Sequence, residues 1–248
     1  MGMKTLKAEL LQLMKNRRSI RRYRKDPVPL EKIYNILEAG RYAPSGANLQ
    51  PWIYIVVTDN NLKGKIRKEA EKIERNFHKS APLQLKRWLK EQKITPEKSF
   101  LTEAPALVVV AGFTKAPYWL ESTWVSIAYI LLSVESQNLG TLTYTPPETV
   151  FLNKLLNIPK DYQTVAILPI GHPAESPSPE TRARRVLEQT VYLNKYSDMC
   201  MCRRKKGDFA RDNPQKIYVT TLLSNGLKPF WVLVPPSLLS LPQCMHDK

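Results

Sequence analysis

Leu6, Leu10, Leu11 and Met14 recur at helical spacing, which predicts an amphipathic helix over residues 5–15. A second helix is predicted over 30–41, with Ile33, Tyr34 and Leu37 on one face and the Pro44-Ser45-Gly46 turn after it. Trp52-Ile-Tyr-Ile-Val-Val57 loses the helical period and reads as a buried strand, and Thr58-Asp59-Asn60 then opens a charged helix to about Phe77. The stretch 78–103 reads as helical and highly charged, with Thr95-Pro96-Glu97 as an N-cap followed by proline at the first helical position. Ala106 to Gly112 is a second buried strand. From Trp119 to Asn138 apolar residues occupy nearly every side of the helical wheel, and Gly140 stands where a C-terminal cap belongs. Such a helix must be buried, centrally or between subunits, and Trp124 within it is expected in the core. A short strand near 141–144, a helix from Pro147 and a strand from Thr164 to Ile170 complete the pattern. Strands alternating with helices imply an α/β or α+β sheet covered on its faces, without ordering the strands.

Beyond Ser197 the character changes. That segment has no Glu, holds all three cysteines (Cys200, Cys202 and Cys244) and ends in a Pro-interrupted apolar stretch. We therefore expect one domain over residues 1–196 and an appendage of doubtful order over 197–248. The absence of cysteine before position 200 fits a reducing compartment and a cytoplasmic protein. No leader of signal-peptide type opens the sequence, and its apolar runs are shorter than the roughly 20 residues of a spanning helix.

The 248 residues carry a formal charge of +16. The excess is spread along the chain, with 30 basic against 18 acidic residues up to position 196 and 8 against 4 beyond it. One local cluster stands out: Arg17, Arg18, Arg21, Arg22, Arg24 and Lys25 fall within nine positions. Guanidinium forks suit phosphate because they offer paired donors in a plane, and Ser19 adds a hydroxyl; a solvated basic face accounts for the same residues. The loop Ala43-Pro-Ser-Gly-Ala-Asn-Leu-Gln-Pro-Trp52 is a second candidate. Its small residues allow close backbone approach to a flat ligand, and Ser45, Asn48 and Gln50 supply donors and acceptors for a heteroaromatic edge. An ordinary helix-to-strand turn would need Pro and Gly but not those three polar side chains as well.

Together the RRSIR box at 17–21 and the APSGANLQPW loop resemble the signature of the nitroreductase family of FMN-dependent oxidoreductases. The resemblance continues in order through Ala104–Val110, Ser136–Gly140, Ile158-Pro159, Leu168–Pro173 and the basic run Arg182, Arg184 and Arg185, covering about residues 5–196. It implies an α+β fold with a central, mostly antiparallel sheet flanked by helices, in an intertwined homodimer. It further implies that Arg17, Arg18 and Ser19, with Arg182 and Arg184, hold the FMN phosphate and ribityl region. Arg21 would face the N1/O2 edge, where charge accumulates on reduction. Pro44, Ser45, Asn48 and Gln50 would approach the flavin, the first three of the loop from the neighbouring subunit, and Thr143-Tyr144-Thr145 would pass near the ring.

The implied activity is a ping-pong oxidoreduction from NADH or NADPH, through flavin N5, to a small electron-poor acceptor such as a nitroaromatic or quinone. No side chain acts as nucleophile, and none is expected to bind metal, since His78, His172 and His246 lack metal-spaced partners. Reductive dehalogenation is the alternative within the family. A deiodinase-type member would place Glu, Tyr and Lys over a zwitterionic amino acid; Glu97 and Lys98 occur, but no Tyr lies between Asn76 and Glu103, so that match is poor. A basic nucleic-acid-binding module is the rival from another class, and the minor one, because FMN phosphate already accounts for the first cluster.

Overall fold

The structure, a computed structural model, describes residues 3–176 and 184–196, with the backbone of two further strands at 216–221 and 228–233. It divides into two compact units, residues 1–80 with 95–177, and 81–94 with 178–248.

The first unit is built on a four-stranded sheet. Its described elements are helices α1 (Met3–Asn16) and α2 (Leu30–Arg41), strand β1 (Trp52–Val57), helix α3 (Asn60–Ser80) and, further on, helix α5 (Phe100–Glu103). Strand β2 (Ala106–Phe113), helix α6 (Trp119–Ser136), strand β3 (Gly140–Thr141), helix α7 (Val150–Leu155) and strand β4 (Tyr162–Gly171) follow. The order across the sheet is β1-β2-β4-β3 and every pairing is antiparallel. The second unit holds helix α4 (Leu83–Glu91), a 3-10 turn at Leu187–Gln189 and the antiparallel hairpin β5 (Lys216–Thr221) and β6 (Lys228–Leu233).

Alternation along β2 places Leu107, Val109 and Ala111 on one face and Ala106, Val108 and Val110 on the other, because successive strand side chains point to opposite sides. The first face packs against Ile66 and Ala70 of α3, Phe100 and Leu101 of α5 and Leu152 of α7. The second packs against Ile33 and Ile36 of α2 and Ile127, Ile130 and Val134 of α6. Both faces of the central strands are thus covered, which is why β2 and β4 read as near-continuous apolar runs. The fold is the α+β arrangement expected.

Several local expectations change. Thr95-Pro96 does not cap a helix: α5 begins only at Phe100, and residues 95–98 are pinned by tertiary bonds instead. The Lys98 backbone N–H donates to Glu71 Oε1 at 2.9 Å, and Lys98 Nζ donates to the Thr95 carbonyl at 2.5 Å. The helix placed at Pro147 starts at Val150, and the strand placed at 164–170 extends over Tyr162–Gly171. Trp124 is not a core residue of the chain. Helix α6 buries Ser122, Thr123, Ser126, Ile127, Ile130 and Val134, while Trp124 (39% exposed), Val125 and Tyr129 lie on its outer side. Within the segment 197–248, residues 216–221 and 228–233 pair as antiparallel strands.

The segment after α1 runs along the outer edge of β3. Ser19 forms a parallel bridge with Thr141, and the Ile20 N–H donates to the Thr141 carbonyl at 3.0 Å. This approach requires a glycine at 140, where a Cβ would stand 2.8 Å from the Ile20 side chain. Gly140→Ala is expected to push the arginine segment off the sheet edge and to cost about 1–3 kcal/mol, as overpacking does. A thermal melt and the FMN content of the purified variant measure both effects; an unchanged melt would show that the edge contact is loose.

Candidate active site

The basic box sits on the β3 edge of the sheet. Its backbone is fixed at both ends, by Ile20 on Thr141 and by Arg24 N–H donating to the His172 carbonyl at 2.9 Å. Between them Glu175 Oε1 accepts from the backbone N–H groups of Arg21 (2.6 Å) and Arg22 (3.3 Å). These bonds spend the main chain's donors inward and leave the guanidinium of Arg21 and the Ser19 side chain exposed; Arg17 and Arg18 are half-buried. Arg18 donates from Nη1 to the carbonyls of Lys15 and Arg17, which ties it to the end of α1. Thr143, Tyr144 and Thr145 continue along the edge of β4, with Tyr144 bridged to Ile167. The structure therefore brings Arg17, Arg18, Ser19 and Arg21 to the same sheet edge as Thr143, Tyr144 and Thr145.

The loop carrying Pro44, Ser45, Asn48 and Gln50 lies elsewhere. It leads into Trp52, which pairs with Gly112 at one end of the sheet, whereas Thr141 pairs with Ile170 at the other end. Strands β1 and β3 are also the two opposite edges. Three strand spacings and the length of β1 separate these corners by roughly 20 Å. In the loop, Ala47, Asn48 and Gln50 all have φ between 45° and 54°, in the left-handed region that costs an L-residue about 1–2 kcal/mol. Strain retained in three neighbouring residues is a mark of a functional loop. Ser45 Oγ accepts from the Gln50 N–H at 3.0 Å, Gly46 N–H donates to Ser122 Oγ at 3.4 Å, and the side chains of Asn48 and Gln50 are exposed. Beside it a concavity of about 300 Å3 is lined by Pro44, Ser45, Gly46, Tyr118, Ser122 and Val125. Arg182 lies outside the described residues, and Arg184 is exposed.

A third cluster was missed in the sequence. On α3, buried positions recur at Lys63, Ile66, Ala70 and Glu74, so Glu74 falls on the helix's core-facing stripe. Its carboxylate is met from three sides: Oε1 accepts from Tyr144 Oη at 3.0 Å, and Oε2 lies 3.5 Å from Lys98 Nζ and 3.7 Å from His78 Nε2. Glu74, Lys98 and Tyr144 are each 7% exposed. Burial drives the Lys98 ammonium down from its ordinary range while Glu74 opposes that shift, and burial together with Glu74 drives the Tyr144 phenol up. A stripe that ends in a carboxylate where an apolar residue belongs was the available signal.

The nitroreductase family model matches residues 14–172, and the chain belongs to that family. Among curated relatives, the iodotyrosine deiodinase of Thermotoga neapolitana is 40% identical over 178 residues, covering 72% of this chain and 95% of the relative. A crystal structure of oxidized iodotyrosine deiodinase bound to FMN and 3-iodo-L-tyrosine superposes with a TM-score of 0.70 at 39% identity, over 75% of this chain and all of that one. A putative NADH dehydrogenase/NAD(P)H nitroreductase from Parabacteroides distasonis gives a TM-score of 0.57 at 25% identity, covering 76% and 99%. The relatives thus include proteins named as iodotyrosine deiodinases as well as proteins named as nitroreductases. No tyrosine lies between Asn76 and Glu103; the tyrosine that meets Glu74 is Tyr144, from the segment bridged to β4, and Lys98 meets the other carboxylate oxygen. Among the described residues no helix is long and apolar enough to cross a membrane.

Proposed function

We propose that this chain is one subunit of a homodimeric, FMN-dependent reductive dehalogenase acting on a halotyrosine-like α-amino acid. The observation that carries this reading is the buried Glu74–Lys98 pair at 3.5 Å, closed by Tyr144 beside the segment 143–145. A buried ion pair of this kind is held at a large desolvation cost. A zwitterion can open it without leaving a charge unpaired: its ammonium takes Glu74, its carboxylate takes Lys98, and one ion pair becomes two.

The residues present fit FMN. A dianionic phosphate needs several guanidinium donors, and Arg17, Arg18 and Arg21 stand within five positions on one sheet edge with Ser19 among them. Arg182 and Arg184 are proposed to join them. Pro44, Ser45, Asn48 and Gln50, at the far corner of their own subunit, are proposed to reach the same flavin across a dimer. The outward side of α6, with Trp124, Val125 and Tyr129, offers apolar area for such a contact. FMN, when bound, stores and delivers the two electrons that convert an aryl iodide and a proton into the arene and iodide. NADH or NADPH remains the proposed source of those electrons.

The protein's contribution is positional. Glu74 and Lys98 fix the amino-acid end, Tyr144 orients the Glu74 carboxylate, and cations on the β3 edge favour negative charge nearby. Protein reconstituted with FMN is expected to release iodide from 3-iodo-L-tyrosine under dithionite, and with NADPH or NADH if a pyridine nucleotide serves as donor. Fast reduction of nitrofurans or quinones with no iodide released would return the nitroreductase reading to first place.

A further inference from the structure

We propose that His78 decides when the Glu74–Lys98 pair opens to an α-amino acid: a neutral imidazole leaves Glu74 Oε2 to the incoming ammonium, and an imidazolium takes that oxygen itself. This rests on the zwitterion reading of the cluster given above and adds its control.

The two carboxylate oxygens of Glu74 are differently engaged. Oε1 is committed to the Tyr144 hydroxyl, so any ligand cation must compete for Oε2. Oε2 is the oxygen faced by both Lys98 Nζ and His78 Nε2. His78 stands one helical turn beyond Glu74, where i,i+4 side chains share a face. Its side chain is 19% exposed, and Nε2 is buried without a hydrogen-bond partner among the described residues, since 3.7 Å is beyond hydrogen-bond reach. A buried ring nitrogen beside a carboxylate and an ammonium is a group held in reserve: it becomes a strong partner of Glu74 only on taking a proton.

The charges facing it set the direction. On its own helix Glu74 favours the proton, and Phe77 adds only a ring edge, with centroids 6.0 Å apart. From the segment before α5, Lys98 opposes the proton and Glu97 favours it. Burial outweighs these and holds the imidazole below its ordinary value of 6.5, so at neutral pH the ring is uncharged and the site is open to an ammonium. An ammonium on Glu74 adds a further positive charge beside the ring, so bound ligand lowers the proton affinity of His78 again. By linkage, ligand affinity is full above the free protein's His78 titration and falls as pH drops through it, by at most about tenfold per pH unit for one proton.

The test uses the FMN-loaded protein, the probe 3-iodo-L-tyrosine and flavin fluorescence to read binding between about pH 5.5 and 7.5, the range over which histidine changes charge. Wild type is expected to lose affinity toward the acid end, and His78→Gln and His78→Tyr to lose that acid limb. In parallel, the His78 ring proton followed by NMR is expected to titrate lower in Glu74→Gln and lower again in wild type saturated with 3-iodo-L-tyrosine. The same acid limb in wild type and both variants, or a His78 titration indifferent to the ligand, would overturn the proposal, as would failure of the ligand to bind at any pH. Iodide release from 3-iodo-L-tyrosine with no His78 response sinks this inference and leaves the dehalogenase reading standing. A His78 response without iodide release does the reverse.

Discussion

Glu74→Gln protein is expected to fold and take up FMN, and to lose about 10²–10³-fold in affinity for 3-iodo-L-tyrosine, the usual cost of removing one charge from a buried, hydrogen-bonded pair. The amide keeps the shape of the side chain, and its oxygen can still accept the Tyr144 hydroxyl now 3.0 Å away, so packing changes little. What disappears is the negative charge, and two groups depend on it. One is the substrate ammonium. The other is Lys98, whose proton affinity burial lowers and Glu74 raises, ahead of Glu97 and Glu71. The melting temperature should therefore fall together with affinity, and Lys98 should become easier to deprotonate. A non-zwitterionic probe, 2-iodophenol, separates these effects, because it makes no claim on Glu74 or Lys98. Iodide release from 2-iodophenol should be nearly the same in variant and wild type. Equal losses for both probes would mean that Glu74 supports the fold and nothing else.

The reason this cluster escaped the sequence is instructive in physical terms. Helix α3 carries Glu69, Glu71, Lys72, Glu74 and Arg75 in close succession, and by composition none differs from the rest. Only the burial stripe Lys63, Ile66, Ala70 and Glu74 separates one of them, and its partner Lys98 lies 24 residues away on a segment whose path local propensity misreads. Thr95-Pro96 has the residues of a helix start. Two long-range contacts, Lys98 N–H to Glu71 and Lys98 Nζ to Glu74, hold that segment against α3 as an irregular loop instead. Where burial and period agree, the elements fall at the expected limits: 30–41 is a helix that buries one stripe, and 52–57 is a strand that is apolar throughout because it packs on both of its faces. The flavin motifs were legible for a different reason. Runs such as RRSIR and APSGANLQPW combine residue types that no packing rule requires, so they carry chemical information locally. Their placement in space was not legible, since it depends on the strand order β1-β2-β4-β3.

That order yields the second large effect. With the basic box on the β3 edge and the polar loop at the opposite end of β1, one chain cannot wrap both around a single ring system. If both contact FMN, they belong to different subunits, and defects in them must complement. Arg21→Ala removes an exposed guanidinium, and Asn48→Gly removes an exposed amide while keeping the left-handed backbone (φ 54° in the parent), so neither disturbs the core. Each homodimer is expected to purify with little FMN. A dimer of one Arg21→Ala chain and one Asn48→Gly chain contains one site with both lesions and one with neither, because a two-fold interface pairs each patch with its counterpart. Such mixed dimers, isolated by two different affinity tags, should recover about half of the wild-type FMN content and about half of its iodide release. A site built within one chain would carry a lesion in every copy and recover nothing, so the colour of the doubly tagged fraction decides between the two arrangements.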